Sequence, residues 1–257
     1  MKGALDLLMS ENRKILILKT GHTIAGLLDA GEDFEDWFID CSGLKEELFI
    51  TKSLHLGEDL IDLGQIRAII VTGSPAYVTD EASWNFIAAN YIKEAHQLGI
   101  PILGVCYGHQ LLAWTFGGKV DFNANGRSIG TIQINLTELA KRDHLFKVLP
   151  ERFSVHVSHQ QSVIRLPADA VKLASGHSDI VQAFRLGNKT WGVQFHPEFS
   201  KRIMQRYIDE RRITIEEEGL DPVRLSSQVS DTPRSAYLFR KFCQLAMDNN
   251  SNCSSQR

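Results

Sequence analysis

In "ILGVCYGHQLLAWTFGG" (residues 102–118), Cys106 stands between an apolar run and a helix-like run, with Gly104 and Gly108 two residues to either side. A residue between a strand end and a helix start can be held in a sharp, strained turn when flanking glycines remove Cβ atoms that would clash. The N–H groups of the first helical turn point at its side chain and favour thiolate over thiol, the reactive form of cysteine. The N–H of Tyr107 is then placed to donate to an oxyanion. A buried packing cysteine fits the same position. A nucleophile therefore needs a base and an orienting group elsewhere in the chain.

"WGVQFHPEFS" offers both, about 90 residues further on. "TWGVQF" reads as an apolar strand with His196 and Glu198 at its end. Residues two apart on an extended chain face one side, so Glu198 can hold the His196 ring, with Pro197 fixing the backbone between them. Alone, His196 is a histidine satisfied near a loop. With Cys106 it completes a thiol, imidazole and carboxylate set, which is defined by roles rather than by chain order.

Both segments need a common edge on which to meet. "KILILK", "ELFITKSL", "AIIVTGSP" and "IPILGV" read as strands. Between them, "IAGLLDAGEDFEDWF" has helical spacing and "ASWNFIAANYIKEAHQLG" is an amphipathic helix. Alternating strands and helices predict an α/β fold: a central, mostly parallel sheet flanked by helices in a flavodoxin-like three-layer arrangement. Strand ends in such a sheet lie on the ligand-binding edge, which gathers "TGSP" and "GVCYGHQ". After Gly118, shorter alternating segments predict an antiparallel extension of the sheet. Residues 200–230 read as charged helix, "SSQVSDTP" as a loop, "RSAYLFRKFCQLAM" as a closing helix and residues 249–257 as a flexible tail.

The chain has 257 residues, 23% charged, with a formal net charge of −3. This suits one globular domain over residues 1–257 and gives no electrostatic reason to expect nucleic acid or an anionic membrane as partner. Apolar runs are too short to span a bilayer, and the first ten residues lack a secretory signal pattern. The four cysteines form no C-x-x-C pair. Reduced thiols and a cytoplasmic location follow as expectations. His156 and His159 in "HVSH" would face opposite sides of a strand with no nearby carboxylate, so no metal site is expected. "GEDFED" reads as an acidic surface turn and "RYIDERRITIEEEG" as a solvated helical face. Trp84, Phe86 and Tyr91 read as helix packing. Cys243, beside Phe239 and Phe242, reads as core, while Cys41 and Cys253 show no site around them.

"GVCYGHQLLA" together with "GVQFHPE" resembles the class I glutamine amidotransferases, the triad domains that release ammonia from glutamine. The family includes the amidotransferase half of GMP synthetase, and the C-terminal "EEEGLDP…DTP" segment resembles stand-alone members. The resemblance extends through "VTGSPAYV", "FSVHVSHQQSV" and "VQAF". It implies that Cys106 attacks the side-chain amide carbon, that His196 moves the proton and that Glu198 orients His196. It also implies an oxyanion hole from the N–H groups of Tyr107 and Ser74, and substrate contacts at Gly73, Gln110, Ser158, His159 and Gln160. No cofactor is implied. Many relatives carry an acidic residue after the "SH"; this chain has Gln160 and Gln161. Where many carry Glu before Ile-Gly, it has Ser128. The substrate is thus expected to be glutamine or another γ-glutamyl compound. No G-x-x-x-x-G-K-[ST] loop occurs, so an ammonia acceptor would belong to a separate synthetase subunit. A γ-glutamyl peptidase acting alone and a non-catalytic binding module are the alternatives.

Overall fold

A computed structural model describes residues 13–177 and 179–248. The expected tail, Cys253 and the first ten residues lie outside them. Eleven strands are described: β1 (Lys14–Lys19), β2 (Phe49–Ser53), β3 (Ile66–Val71), β4 (Ile102–Val105), β5 (Lys119–Phe122), β6 (Ser128–Leu136), β7 (Arg152–His159), β8 (Gln161–Arg165), β9 (Val171–Ser175), β10 (Ala183–Leu186) and β11 (Thr190–Val193). Nine form one sheet in the order β2-β1-β3-β4-β11-β10-β9-β6-β7; β5 and β8 pair separately. Strands β2, β1, β3, β4 and β11 run parallel. Beyond β11 the pairing is antiparallel, as expected. The last strand in sequence is thus the central joint: β11 lies parallel against β4, so the chain bearing His196 leaves the sheet beside the chain bearing Cys106.

The helices are α1 (Ala25–Leu28), α2 (Phe34–Ser42), α3 (Ser83–Gln97), α4 (Tyr107–Thr115), α5 (Lys201–Glu210), α6 (Arg212–Glu217), α7 (Pro222–Ser227) and α8 (Pro233–Asp248). Strand periodicity divides the core into two layers. Ile15 and Ile17 of β1 face a cluster with Phe34, Phe38, Leu238 and Phe242 from α2 and α8. Leu16 and Leu18 face Ala88, Ile92, Leu111 and Leu112 from α3 and α4. A side-chain period of two sends alternate residues to opposite faces, and both faces are covered by helices, as a parallel sheet requires.

The structure corrects four local expectations. "IAGLLDAGEDFEDWF" is two helices, because the chain turns at Gly31 with φ 80° and restarts at the N-cap Asp33. "GEDFED" is therefore no simple surface turn: Asp33 is buried, accepts from the N–H groups of Phe34 and Thr23, and binds Lys19 at 2.6 Å. The loop assigned to "SSQVSDTP" begins only after Ser227, the last residue of α7. Of the three aromatics read as helix packing, Phe86 is half exposed and only edges onto Trp114.

Candidate active site

Cys106 follows β4 directly and caps α4 with φ 53° and ψ −100°. A non-glycine residue with positive φ is sterically unfavourable and needs neighbours that force it. Here those neighbours are the two glycines. A Cβ on Gly104 would lie 2.4 Å from the Gly108 carbonyl oxygen, and one on Gly108 would lie 2.4 Å from that of Val71. Strand, turn and helix can approach this closely only without those side chains. Backbone bonds from Cys106 N to Val193 O (2.9 Å) and from Gly108 N to Thr72 O (3.1 Å) tie the turn to the ends of β11 and β3.

His196 and Glu198 meet as expected, but for a different local reason. The strand ends at Val193, and both residues lie in the irregular turn that follows rather than on an extended segment. His196 N donates to His156 O at 2.8 Å, anchoring that turn. His196 Nδ1 lies 2.7 Å from Glu198 Oε1, and both side chains are buried. The ring and Cys106 line one cavity, and the Cys106 thiol itself lies 3.9 Å from Ser158 O. Phe199 stacks on the imidazole at 4.0 Å between centroids, and a Cβ on Gly73 would come within 3.0 Å of His196 Cε1. Burial alone would lower the basicity of the imidazole; the charges of Glu198 and Cys106 outweigh it and push the pKa up to about 10.

Ser74, Tyr107, Gln110, Ser158, His159 and Gln160 line a cavity that reaches Cys106. Tyr107 is the first residue of α4, so its N–H has no partner within the helix. Gln110 donates its amide hydrogens to Gln161 O (2.7 Å) and Gln194 Oε1 (3.1 Å). Only its carbonyl oxygen remains for a ligand, which would have to be a donor. Gln160 is bonded to the Tyr77 hydroxyl and to Glu218.

Several residues escaped the sequence reading. His159 is not without a carboxylate: its Nε2 lies 3.2 Å from Asp179 Oδ2. Asp179 also accepts from Asn123 (2.7 Å), Ser128 (3.1 Å), Gln182 (3.2 Å) and Ser162. Ser128 thus serves this buried acid. Arg211 overlooks Cys106 from the end of α5, and Arg127 forms a two-pronged pair with Glu218. Cys41, which had no expected surroundings, lies against the turn that carries His196 and Glu198, with its thiol 3.5 Å from Pro197 O, and burial pushes its pKa up to about 12. Cys243 is core, as expected. Among the described residues no three His, Cys, Asp or Glu side chains are gathered as metal ligands, and no helix is long and apolar enough to cross a membrane.

A strained cysteine at a strand–helix turn, on the edge of a mostly parallel sheet and facing a histidine–carboxylate pair, defines a protein with the means for nucleophilic acyl transfer. The family model for glutamine amidotransferase class-I matches residues 28–214, and the chain belongs to that family. A glutamine-hydrolysing GMP synthase of Staphylococcus saprophyticus is 40% identical over 133 residues, 51% of this chain and 24% of that protein. The GMP synthase of Bacteroides fragilis is 36% identical over 134 residues, 52% of this chain and 25% of that protein. The matched region thus spans about a quarter of the length of these curated relatives. Among solved structures, a glutamine amidotransferase of Thermotoga maritima superposes with a TM-score of 0.73 at 23% identity, covering 92% of this chain and 99% of that one. A glutamine amidotransferase of Methylobacillus flagellatus gives 0.68 at 20% identity, covering 91% and 93%. Both share the fold.

Proposed function

We propose that the protein hydrolyses the γ-amide of a γ-glutamyl compound through a thioester on Cys106. The observation that carries this reading is the forced positive φ of Cys106 beside the 2.7 Å His196–Glu198 pair. Cys106 attacks the γ-carbonyl carbon. The N–H groups of Tyr107 and Ser74 receive the negative charge on oxygen. His196, kept cationic by Glu198, stabilises the negative sulfur and gives its proton to the departing nitrogen. Water activated by the then neutral imidazole releases glutamate. With glutamine as substrate the departing molecule is ammonia. The GMP synthases of which this chain matches about a quarter are named as glutamine-hydrolysing, which supports glutamine as a substrate on that route.

The test is turnover with covalent capture. Purified protein is incubated with glutamine and with γ-glutamyl peptides, and released ammonia or amine is quantified. A chloroketone analogue of glutamine should label Cys106, which lines the cavities, and spare the half-buried Cys41 and the core Cys243. Absence of turnover on every substrate, alone and with cell extract, sinks the reading.

A further inference from the structure

Two cavities meet at Cys106. One, of about 70 Å³, is lined by Tyr107, Gln110, Ser158, Gln160 and Arg211. The other, of about 100 Å³, is lined by His22, Thr23, Phe34, His196, Tyr207 and Arg211. An acyl transfer has a fixed sidedness: the leaving nitrogen must face the group that protonates it. His196 lines only the second cavity, while Gln110 and Tyr107 line only the first. The glutamyl chain therefore belongs in the first and the leaving amine in the second.

Size and charge then describe that amine. A single water-sized molecule needs roughly 10–15 Å³ of such space, so the second cavity is far larger than departing ammonia requires. No carboxylate lines it. The Arg211 guanidinium lies 4.6 Å from the centre of the Tyr207 ring, and its Nη1 is buried without a hydrogen-bond acceptor. A buried charged donor left unmet is costly, and a guanidinium fork matches a carboxylate. Thr23 and Tyr207 bond each other at 2.8 Å along the same wall, and His22 is held by Asp33 at 2.7 Å. Arg211 is thus the strong donor left for an arriving anion.

We propose, on the thioester reading above, that the preferred substrates are γ-glutamyl amino acids, whose leaving amine carries a carboxylate bound by Arg211. The C–S bond forms as the C–N bond breaks. The nitrogen takes the proton of His196, and the free amino acid departs. Water then adds to the thioester carbon as His196 takes its proton, and the C–S bond breaks, leaving thiolate and glutamate.

The experiment compares kcat/KM for γ-glutamylglycine, γ-glutamylmethylamide and glutamine in the wild type, R211Q and R211K. All three share the glutamyl α-carboxylate; only the first has a carboxylate on its leaving amine. The expected result is a wild-type preference for γ-glutamylglycine of at least tenfold over both others. R211Q should reduce that ratio at least tenfold and R211K should restore part of it. Because a ratio is read on one protein sample, a partly misfolded variant does not obscure it. Hydrolysis of all three with no preference, or a preference that R211Q leaves intact, overturns the inference and leaves the thioester reading standing. An equal fall on all three substrates in R211Q assigns Arg211 to the α-carboxylate instead and also overturns it. Hydrolysis of none overturns the thioester reading and the inference with it.

Discussion

His196 and His159 each lie beside a buried carboxylate near the same sheet edge, yet the two pairs are built for different work. Glu198 bonds His196 through Oε1 at 2.7 Å, while its Oε2 is buried without a partner. Burial works against the charged imidazole, but Glu198, together with Cys106, outweighs it and pushes the His196 pKa up to about 10. Asp179 instead draws bonds from Asn123, Ser128, Ser162 and Gln182 besides standing 3.2 Å from His159. Burial works against its charge, but His159, with Ser162 and Ser128, outweighs it and holds its carboxyl below the ordinary range. A carboxylate with one partner tunes that partner. A carboxylate with several ties segments together: Asp179 joins the turn after β5, the start of β6, β8 and the segment before β10.

The comparison breaks most visibly at the imidazoles. H196A should lower kcat on any γ-glutamyl substrate by about 10³-fold or more, the scale of losing a base that activates a nucleophile. H159N should stay within about tenfold, because His159 has no thiol to serve. Steady-state kinetics on the two variants decides it, and equal losses would erase the distinction drawn between the pairs. The next effect is on stability. D179N removes the charge that the surrounding donors share, at a cost of about 3 kcal/mol. Urea unfolding should show that loss, while the pH profile of the folded enzyme keeps its limbs.

The Cys106 turn and the His196–Glu198 pair were legible in sequence because each rests on short-range rules: glycine sterics and residue chemistry. Asp179 was not. It sits in a stretch with no periodicity, and its five neighbours come from five separate segments. Asp33 misled for a related reason. "GEDFED" has the composition of a solvated turn, but the helix start at Phe34 needs a cap, and Lys19 arrives from β1 to pair with it. Arg211 was hidden in a charged run where every other helical turn carries an ion; only its position over Cys106 distinguishes it. β11 was read as one strand of the extension, since nothing local says that residues 190–193 pair with 102–105 in parallel.

A smaller effect sharpens the Glu198 side of the comparison. Because its charge is among the causes that raise His196, E198Q should shift the alkaline limb of kcat/KM down from about pH 10 toward the ordinary imidazole range near 6.5. The rate at pH 7 should fall about 30-fold, roughly 2 kcal/mol. An unmoved limb would mean that Glu198 only orients the ring.

The smallest effect concerns a third histidine that touches the pair through its backbone. His156 is buried, and desolvation, with the His196 charge adding to it, pushes its pKa down to about 4. In the unfolded chain an imidazole titrates near 6.5. Between pH 6.5 and about 4 the unfolded state therefore binds the extra proton. Stability contributed by neutral His156 is fully present above 6.5 and is lost as pH falls through that window, at about 1 kcal/mol per pH unit. His196 has the opposite sign: its raised pKa contributes stability that is complete below 6.5 and is lost between there and about 10. Urea midpoints measured from pH 7 to pH 5 should fall less steeply in H156Q than in the wild type. Between pH 8 and 10 the same variant should keep the wild-type slope, because that limb belongs to His196. A slope altered on both sides of neutrality would show that the two imidazoles titrate as one unit rather than as a proton carrier and its neutral support.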